Sequence, residues 1–319
     1  LDDARVIEDY IIDDQFEKAQ VIACTPVVSA GRNMRDKQFS TVFIDEEAQA
    51  LEPMCWIPIT RSKRVIFAGD HFQLPPTVKS KTAEDGGLKE TLFEHCMHLP
   101  NISVMLNTQY RMHENIMNFS NHKFYGDKLQ AHESVKDNLL SYDVNEYLLN
   151  TPVEFIDTAG CGYDELLNPE SLSTSNPDEA KLLIKHLKLL LEQYYQNDRK
   201  NSISIGVISP YKEQVKNLTI AIDGDEEFKK YPIRLAIKTI DGFQGQERDV
   251  IYISLVRSND NKDIGFLNDI RRMNVALTRA KKKLVVIGDS ATLSNLAFYK
   301  DFLEYIDSIN AYKSAWEFQ

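Results

Sequence analysis

The chain has 319 residues, of which 43% are hydrophobic and 27% charged, and carries a formal net charge of −11. That length allows two domains of roughly 100–200 residues each, and the composition excludes a disordered chain. No apolar run approaches the roughly 20 residues that a bilayer requires, and Leu1–Arg5 lacks the basic and apolar regions of a signal peptide. No membrane partner is therefore expected, and the protein is expected in the cytoplasm, or in the nucleus if eukaryotic. The sequence opens without Met and reads as a piece of a longer chain. Cys24, Cys55, Cys96 and Cys161 lie far apart with no C-x-x-C pair, which argues against a zinc site and for a reducing compartment. Three of the four are expected as buried free thiols. The acidic balance disfavours a nucleic-acid partner at long range, although a local groove can still be basic.

In chain order, Asp3–Lys18 reads as a helix. Thr41–Ile44 and Arg64–Asp70 are short apolar runs of the kind that form strands buried on both faces of a parallel sheet. Leu99-Pro100-Asn101 breaks a helix, so a domain junction is expected near Pro100–Asn107, dividing the chain into 1–105 and 106–319. His113–Phe124 is a second helical segment. Residues 166–177, rich in Asn, Pro and Ser, read as a surface loop. Asp178–Tyr195 is the clearest helix: Asn176 can cap it, Pro177 suits its first turn, and Asp178 and Glu179 complement its dipole. Ile203–Ile208, Val250–Leu255 and Lys283–Asp289 are further strands, and Tyr211–Ile222 and Thr292–Ile309 further helices. Alternating strands and helices imply an α/β fold. The two runs that end in Gly-Asp, at Asp70 and Asp289, hint at two similar sheets.

Several segments carry chemistry. Ser40–Glu46 is an apolar strand ending in Asp-Glu and resembles a Walker B element, although such a strand before an acidic turn is also a common structural feature. In that element Asp45 holds Mg²⁺ through its water shell at the carboxyl end of a strand, and Glu46 polarises the attacking water. Gly69–Pro76 resembles motif III of the superfamily 1 helicases, with Gln73 placed to sense the γ-phosphate and Pro75 and Pro76 stiffening the loop. Gln109-Tyr110-Arg111-Met112-His113 resembles the motif that opens the second motor domain in that superfamily. Thr239–Asp249 is similar to motif V and Arg272–Lys281 to motif VI. Ser209-Pro210-Tyr211 and Cys24-Thr25-Pro26 are less specific and equally compatible with ordinary strand ends.

These blocks run from about Val21 to Gly288 in the family's order. The chain is identified by them as similar to superfamily 1B helicases of the nonsense-mediated-decay type, and most similar to the immunoglobulin mu-binding protein 2 type and its bacterial relatives. Residues 50–58, 157–162 and 264–267 carry that closeness. The resemblance implies two RecA-like domains of the P-loop NTPase fold with mainly parallel sheets, the first incomplete here, binding ATP and a strand at their cleft. It implies catalytic roles for Asp45, Glu46, Gln73, Arg111 and Arg279, the two arginines as planar donors to spreading phosphoryl charge. It places Tyr110 against adenine, Glu247 on the ribose and Gly245 close to phosphate, where a glycine lets backbone approach. It assigns strand contacts to Thr25, Pro75, Ser209, Pro210 and Thr239. Its members hydrolyse ATP with Mg²⁺ and move 5′ to 3′ on single-stranded DNA or RNA.

Two departures stand out. Where the family usually has Ala after Asp-Glu, this chain has Glu47, which either perturbs its neighbours or points away. No G-x-x-x-x-G-K-[ST] occurs, so the phosphate cradle and its Lys are absent from this sequence. The reading is an ATP-driven helicase or translocase, with this piece inactive by itself. A non-catalytic binding or docking module derived from such a motor is the rival, and an ATP-dependent switch without translocation is a third reading.

Overall fold

The computed structural model describes residues 2–196 and 201–318. The chain divides into two compact units, 1–104 and 105–319.

In the first unit, helix α1 (Asp2–Lys18) precedes a parallel pair of strands, β1 (Val42–Ile44) and β2 (Val65–Phe67), in which Val42 pairs with Val65 and Ile44 with Phe67. Between them runs α2 (Glu52–Ile59), and α3 (Leu92–Met97) closes the unit. The sheet is parallel, as its apolar runs suggested, but it is not buried on both faces. Side chains alternate along a strand, so Ile44 turns into the core while Phe43 is 69% exposed. The α3 helix starts cleanly because Thr91 accepts the Glu94 N–H while the Glu94 carboxylate accepts the Thr91 N–H, a reciprocal capping box.

The second unit is built on a six-stranded parallel sheet. Its strands are β3 (Val153–Asp157), β4 (Ser204–Ser209), β5 (Arg234–Thr239), β6 (Arg248–Ser254), β7 (Ala280–Gly288) and β8 (Tyr312–Ser314). Their order across the sheet is β8-β3-β7-β6-β4-β5. The helices are α4 (Glu114–Phe124), α5 (Pro177–Tyr195), α6 (Lys212–Asp223), α7 (Ile270–Leu277) and α8 (Ala297–Ser308). Helix α5 lays Leu183, Leu187, Leu190 and Leu191 against Ile205, Val207, Val250 and Val285 of the sheet. The recurrence of those leucines at helical spacing fixes which face is buried.

Four expectations need correction. The two sheets are unlike, one of two strands and one of six. The segment Thr292–Ile309 is not one helix: Ser290–Leu293 and Ala297–Ser308 are separate, because the Asp289 carboxylate caps the first by accepting the Ala291 N–H and the chain turns extended at Leu296. Residues 166–177 hold a short antiparallel pair, Leu166–Leu167 with Thr174–Ser175, where only a loop was expected. Of the cysteines only Cys55 is buried, and Cys24 is exposed.

Polar groups are also built into this core. Lys283 on β7 is fully buried and donates to the Glu154 carboxylate on β3 at 2.9 Å and to the Thr151 carbonyl at 3.0 Å. Glu179 on α5 is equally buried, and accepts the Ser254 hydroxyl and the Val256 N–H. Burial pushes its carboxyl up to about 7, against the hydrogen bonds that lower it. A carboxyl raised on folding stabilises the fold below its ordinary titration range and loses that contribution as pH rises through about 7. Stability should therefore fall by on the order of 3 kcal/mol between acid and mildly basic pH, at about 1.4 kcal/mol per pKa unit. Urea denaturation at pH 5 and pH 8 checks this: Glu179→Gln should shrink the difference by about that amount, and an unchanged pH dependence would count against the assignment.

Candidate functional site

The first unit presents two acidic side chains and hides a third. Asp45 and Glu46 are exposed just beyond β1, whereas Glu47 is fully buried. The divergence follows from Glu46, whose backbone is left-handed at φ 52°. That turn sends the next side chain inward. Asp45 Oδ1 accepts the Glu46 N–H at 3.0 Å, and the Glu46 carboxylate accepts the Gln49 amide at 2.8 Å. Glu47 accepts the Cys55 thiol at 3.4 Å and the Phe93 N–H at 2.8 Å, tying the turn to α2 and α3. Burial raises the Glu47 carboxyl to about 7, and raises the Cys55 thiol, beside Glu47, to about 12. The extra carboxylate thus points away from Asp45 and Glu46.

Beyond β2, Asp70 closes a tight turn. Its carboxylate accepts the Phe72 N–H at 3.0 Å and the Gln73 side-chain amide at 2.7 Å. Leu74 and Pro76 are buried and anchor the loop, and Pro75 is half-buried between them. Thr25 is exposed, and its hydroxyl accepts the Val28 N–H at 3.4 Å.

The second unit gathers segments far apart in sequence. Gln109 holds its own turn, its side-chain oxygen accepting the N–H groups of Arg111 and Met112 at 2.8 Å each. The turn directs Arg111 to Glu247, 2.7 Å from Nε, and to the Thr278 carbonyl, 3.1 Å from Nη1. Lys281 reaches the other oxygen of Glu247 at 2.6 Å. Burial would raise the Glu247 carboxyl, but the hydrogen bonds and charges of Lys281 and Arg111 outweigh it and hold it below its ordinary value. Glu247 is therefore engaged by two cations, a role that the resemblance alone, with its ribose contact, did not indicate. Tyr110 is exposed with its ring 4.4 Å from that of His132, one face supported. Gly245 adopts φ +70°, a conformation strained for any other residue.

Arg279 lies deeper than Arg111. It is 3% exposed, and its guanidinium donates to the Val275 carbonyl at 2.9 Å and the Thr278 hydroxyl at 3.2 Å. The carboxyl end of α7 favours a cation, and the Val275 carbonyl, which also accepts the Thr278 hydroxyl at 3.2 Å, holds this side chain inward. Ser209 is likewise fully buried, with its hydroxyl accepting the Tyr211 N–H at 3.4 Å. It shapes the strand end and does not present its hydroxyl, whereas Pro210 and Thr239 are half-buried at the rim.

The parallel sheet separates two groups of residues. Arg248 of β6 pairs with Ala280 of β7 at their amino ends, which places Glu247 and Lys281 there. Ser209 of β4 pairs with Thr239 of β5 at their carboxyl ends, which places Pro210 and Thr239 at the opposite edge.

Among the described residues no group of three or more His, Cys, Asp or Glu side chains could enclose a metal ion. A site with one carboxylate at Asp45 still fits Mg²⁺, which binds through one or two carboxylates and otherwise through water and phosphate. No helix of the described residues is long and apolar enough to cross a membrane.

Models of the AAA domain family match residues 2–81 and 88–291. An uncharacterised ATP-dependent helicase of Methanocaldococcus jannaschii is 38% identical over 313 residues, covering 95% of this chain and 44% of that protein. The DNA-binding protein SMUBP-2 of Rattus norvegicus is 39% identical over 287 residues, covering 88% and 28%. A regulator of nonsense transcripts 1 homolog of Neurospora crassa is 35% identical over 281 residues, covering 87% and 25%. The chain thus spans less than half of the length of each of these relatives. With a family model over most of its length and these relatives, the chain belongs to the AAA domain family, in the superfamily 1 helicase branch of the nonsense-mediated-decay and immunoglobulin mu-binding protein 2 types.

Proposed function

We propose that this chain is part of the motor core of an ATP-driven helicase or translocase acting on single-stranded DNA or RNA, moving 5′ to 3′. The observation that carries the reading is the meeting of Arg111, Glu247, Thr278 and Lys281, drawn from three distant segments, around one half-buried guanidinium. A binding module has no need to fix the plane of an arginine at two of its nitrogens. In this reading Asp45 would hold Mg²⁺, which when bound would supply charge neutralisation at the phosphates. Glu46 orients the attacking water, Gln73 reports the γ-phosphate through its turn, and Arg111 stabilises the transferring group. Tyr110, with one face supported by His132, stacks on the base of the nucleotide, and Gly245 lets backbone approach phosphate. Thr25, Pro75, Pro210 and Thr239 contact the strand.

The test is ATP hydrolysis by the complete protein with and without single strands. Stimulation by strands supports the motor. Turnover without stimulation favours an ATP-dependent switch, and strand binding without turnover a non-catalytic module. Displacement from duplexes tailed at the 5′ or the 3′ end reads direction. Chain 1–319 by itself should hydrolyse ATP negligibly. The backbone donors and Lys of the missing cradle are charge-assisted contacts, and their absence costs several kcal/mol, on the order of what such bonds supply. Robust Mg²⁺-dependent turnover by the isolated chain would contradict this.

A further inference from the structure

A heavily braced surface segment of the second unit presents an aromatic ring to water. Phe266 is 62% exposed on the turn Gly265–Asn268. Burying such a side chain would stabilise a fold, and this turn is not free to choose. It is held at both ends. On the segment that leads into it, Val256 is fully buried yet left-handed, at φ 73°, a conformation strained for a β-branched residue. Glu179 accepts its N–H at 3.0 Å and Asn176 donates to its carbonyl at 3.2 Å, which keeps it there. Next, Arg257 donates through Nε and Nη2 to the Asp263 carbonyl at 2.9 and 2.6 Å and pairs with Glu165 at 3.2 Å. Asn259 and Asp263 exchange hydrogen bonds at 2.9 Å each way. Gly265 adopts φ +50°, and a Cβ there would lie 2.8 Å from the Tyr211 hydroxyl, so only glycine fits. At the end Tyr299 donates to the Leu267 carbonyl at 3.1 Å.

The place of this ring is as informative as its rigidity. It lies 5.6 Å from the ring of Tyr211, the residue after Pro210. Arg272, on the helix that follows the turn, bridges to Asp241 at 3.3 Å, two residues beyond Thr239. Phe266 thus packs against the residue that follows Pro210, at the end of the sheet where β4 and β5 have their carboxyl termini. Exposed Lys212 and Lys238 flank Pro210 and Thr239 in sequence.

We infer that Phe266 is a base-stacking platform, on which one base of the single strand rests as its backbone passes Pro210 and Thr239. This rests on the strand-binding reading above and adds to it the means of holding the strand. An acidic chain gains less from phosphate than a basic one, because phosphate affinity scales with the cations that displace counterions. Stacking supplies affinity that does not depend on salt and accepts any base. Rigid presentation suits it, since no loop entropy is lost on binding.

The test uses the complete protein with fluorescein-labelled oligo-dT and oligo-U, titrated by anisotropy across a range of salt. Phe266→Ala should weaken binding by about 5- to 150-fold, the range for loss of one stacked base, and leave the slope of log affinity against log salt unchanged. A lost phosphate contact would instead change that slope. Phe266→Trp should retain affinity, and Phe266→Leu, apolar without a π face, should lose it. An unchanged melting temperature for each variant shows that the fold is intact. If the wild type binds and Phe266→Ala binds equally well, the platform is refuted while the motor reading stands. If Phe266→Leu binds as the wild type does, the ring serves apolar packing against protein and stacking is refuted. If the wild type binds no strand at any salt, the motor reading fails and takes the platform with it.

Discussion

Arg111→Ala, and equally Arg111→Lys, should lower strand-stimulated ATP turnover of the complete protein by about 10³–10⁵, the range an arginine finger supplies. The geometry explains why Lys is no substitute. Arg111 spends Nε on Glu247 and Nη1 on the Thr278 carbonyl, so its planar group is fixed in orientation. A lysine ammonium keeps the charge but not the fork. The bridge to Glu247 is about one-third exposed on each side, and such pairs contribute about 0–1 kcal/mol to stability. Loss of rate should thus far exceed loss of fold, and thermal melting alongside kinetics separates the two. Turnover within a few-fold of wild type would remove Arg111 from the mechanism. Arg279 should behave differently. Its guanidinium is buried and bonded to Val275 and Thr278, so Arg279→Ala should cost about 1–3 kcal/mol of stability through those unmade bonds. Rates for that variant must be corrected for the folded fraction before any catalytic role is read from them.

What the sequence revealed of the second unit was what local pattern controls. Helix α5 starts at Pro177 with Asn176 accepting the Glu179 N–H, because cap, proline and acidic first turn all lie within four residues. Strands β4, β6 and β7 showed as apolar runs. Strands β3 and β5 did not, for two different reasons. Glu154 interrupts β3, and its partner Lys283 lies on another strand. The edge strand β5 is open to solvent at Arg234 and Lys238, so no apolar run marks it. The candidate site divides in the same way. Residue types at motif spacing point to Asp45, Glu46, Arg111 and Glu247. Side-chain direction depends on backbone that the motifs do not encode: the left-handed turn at Glu46 that buries Glu47, and the carboxyl end of α7 that draws Arg279 inward. Phe266 gave no sign beyond its place in a family-like run, since its exposure is set by bonds from Glu179, Glu165 and Tyr299, all distant in sequence.

Glu46→Gln should reduce hydrolysis by the complete protein about 10²–10⁴-fold, the contribution of a positioned general base, while ATP affinity stays close to wild type. The substitution keeps size and shape. A glutamine oxygen can still accept the Gln49 amide now 2.8 Å from Glu46, so the left-handed turn has no reason to relax. What is lost is the negative charge that polarises water, an interaction realised in the transition state, so the deficit belongs in kcat and not in binding. The neighbouring carboxylate supplies the control. Glu47→Gln alters a buried group bonded to Cys55 and Phe93 and should shift the melting temperature while leaving kcat within a few-fold. Two adjacent, chemically identical side chains are thus expected to separate, one acting on rate and the other on stability, because a single backbone turn faces them in opposite directions. Steady-state kinetics, nucleotide binding and thermal melting on both variants decide it. Equal effects of the two substitutions on kcat would show that the turn does not divide their roles.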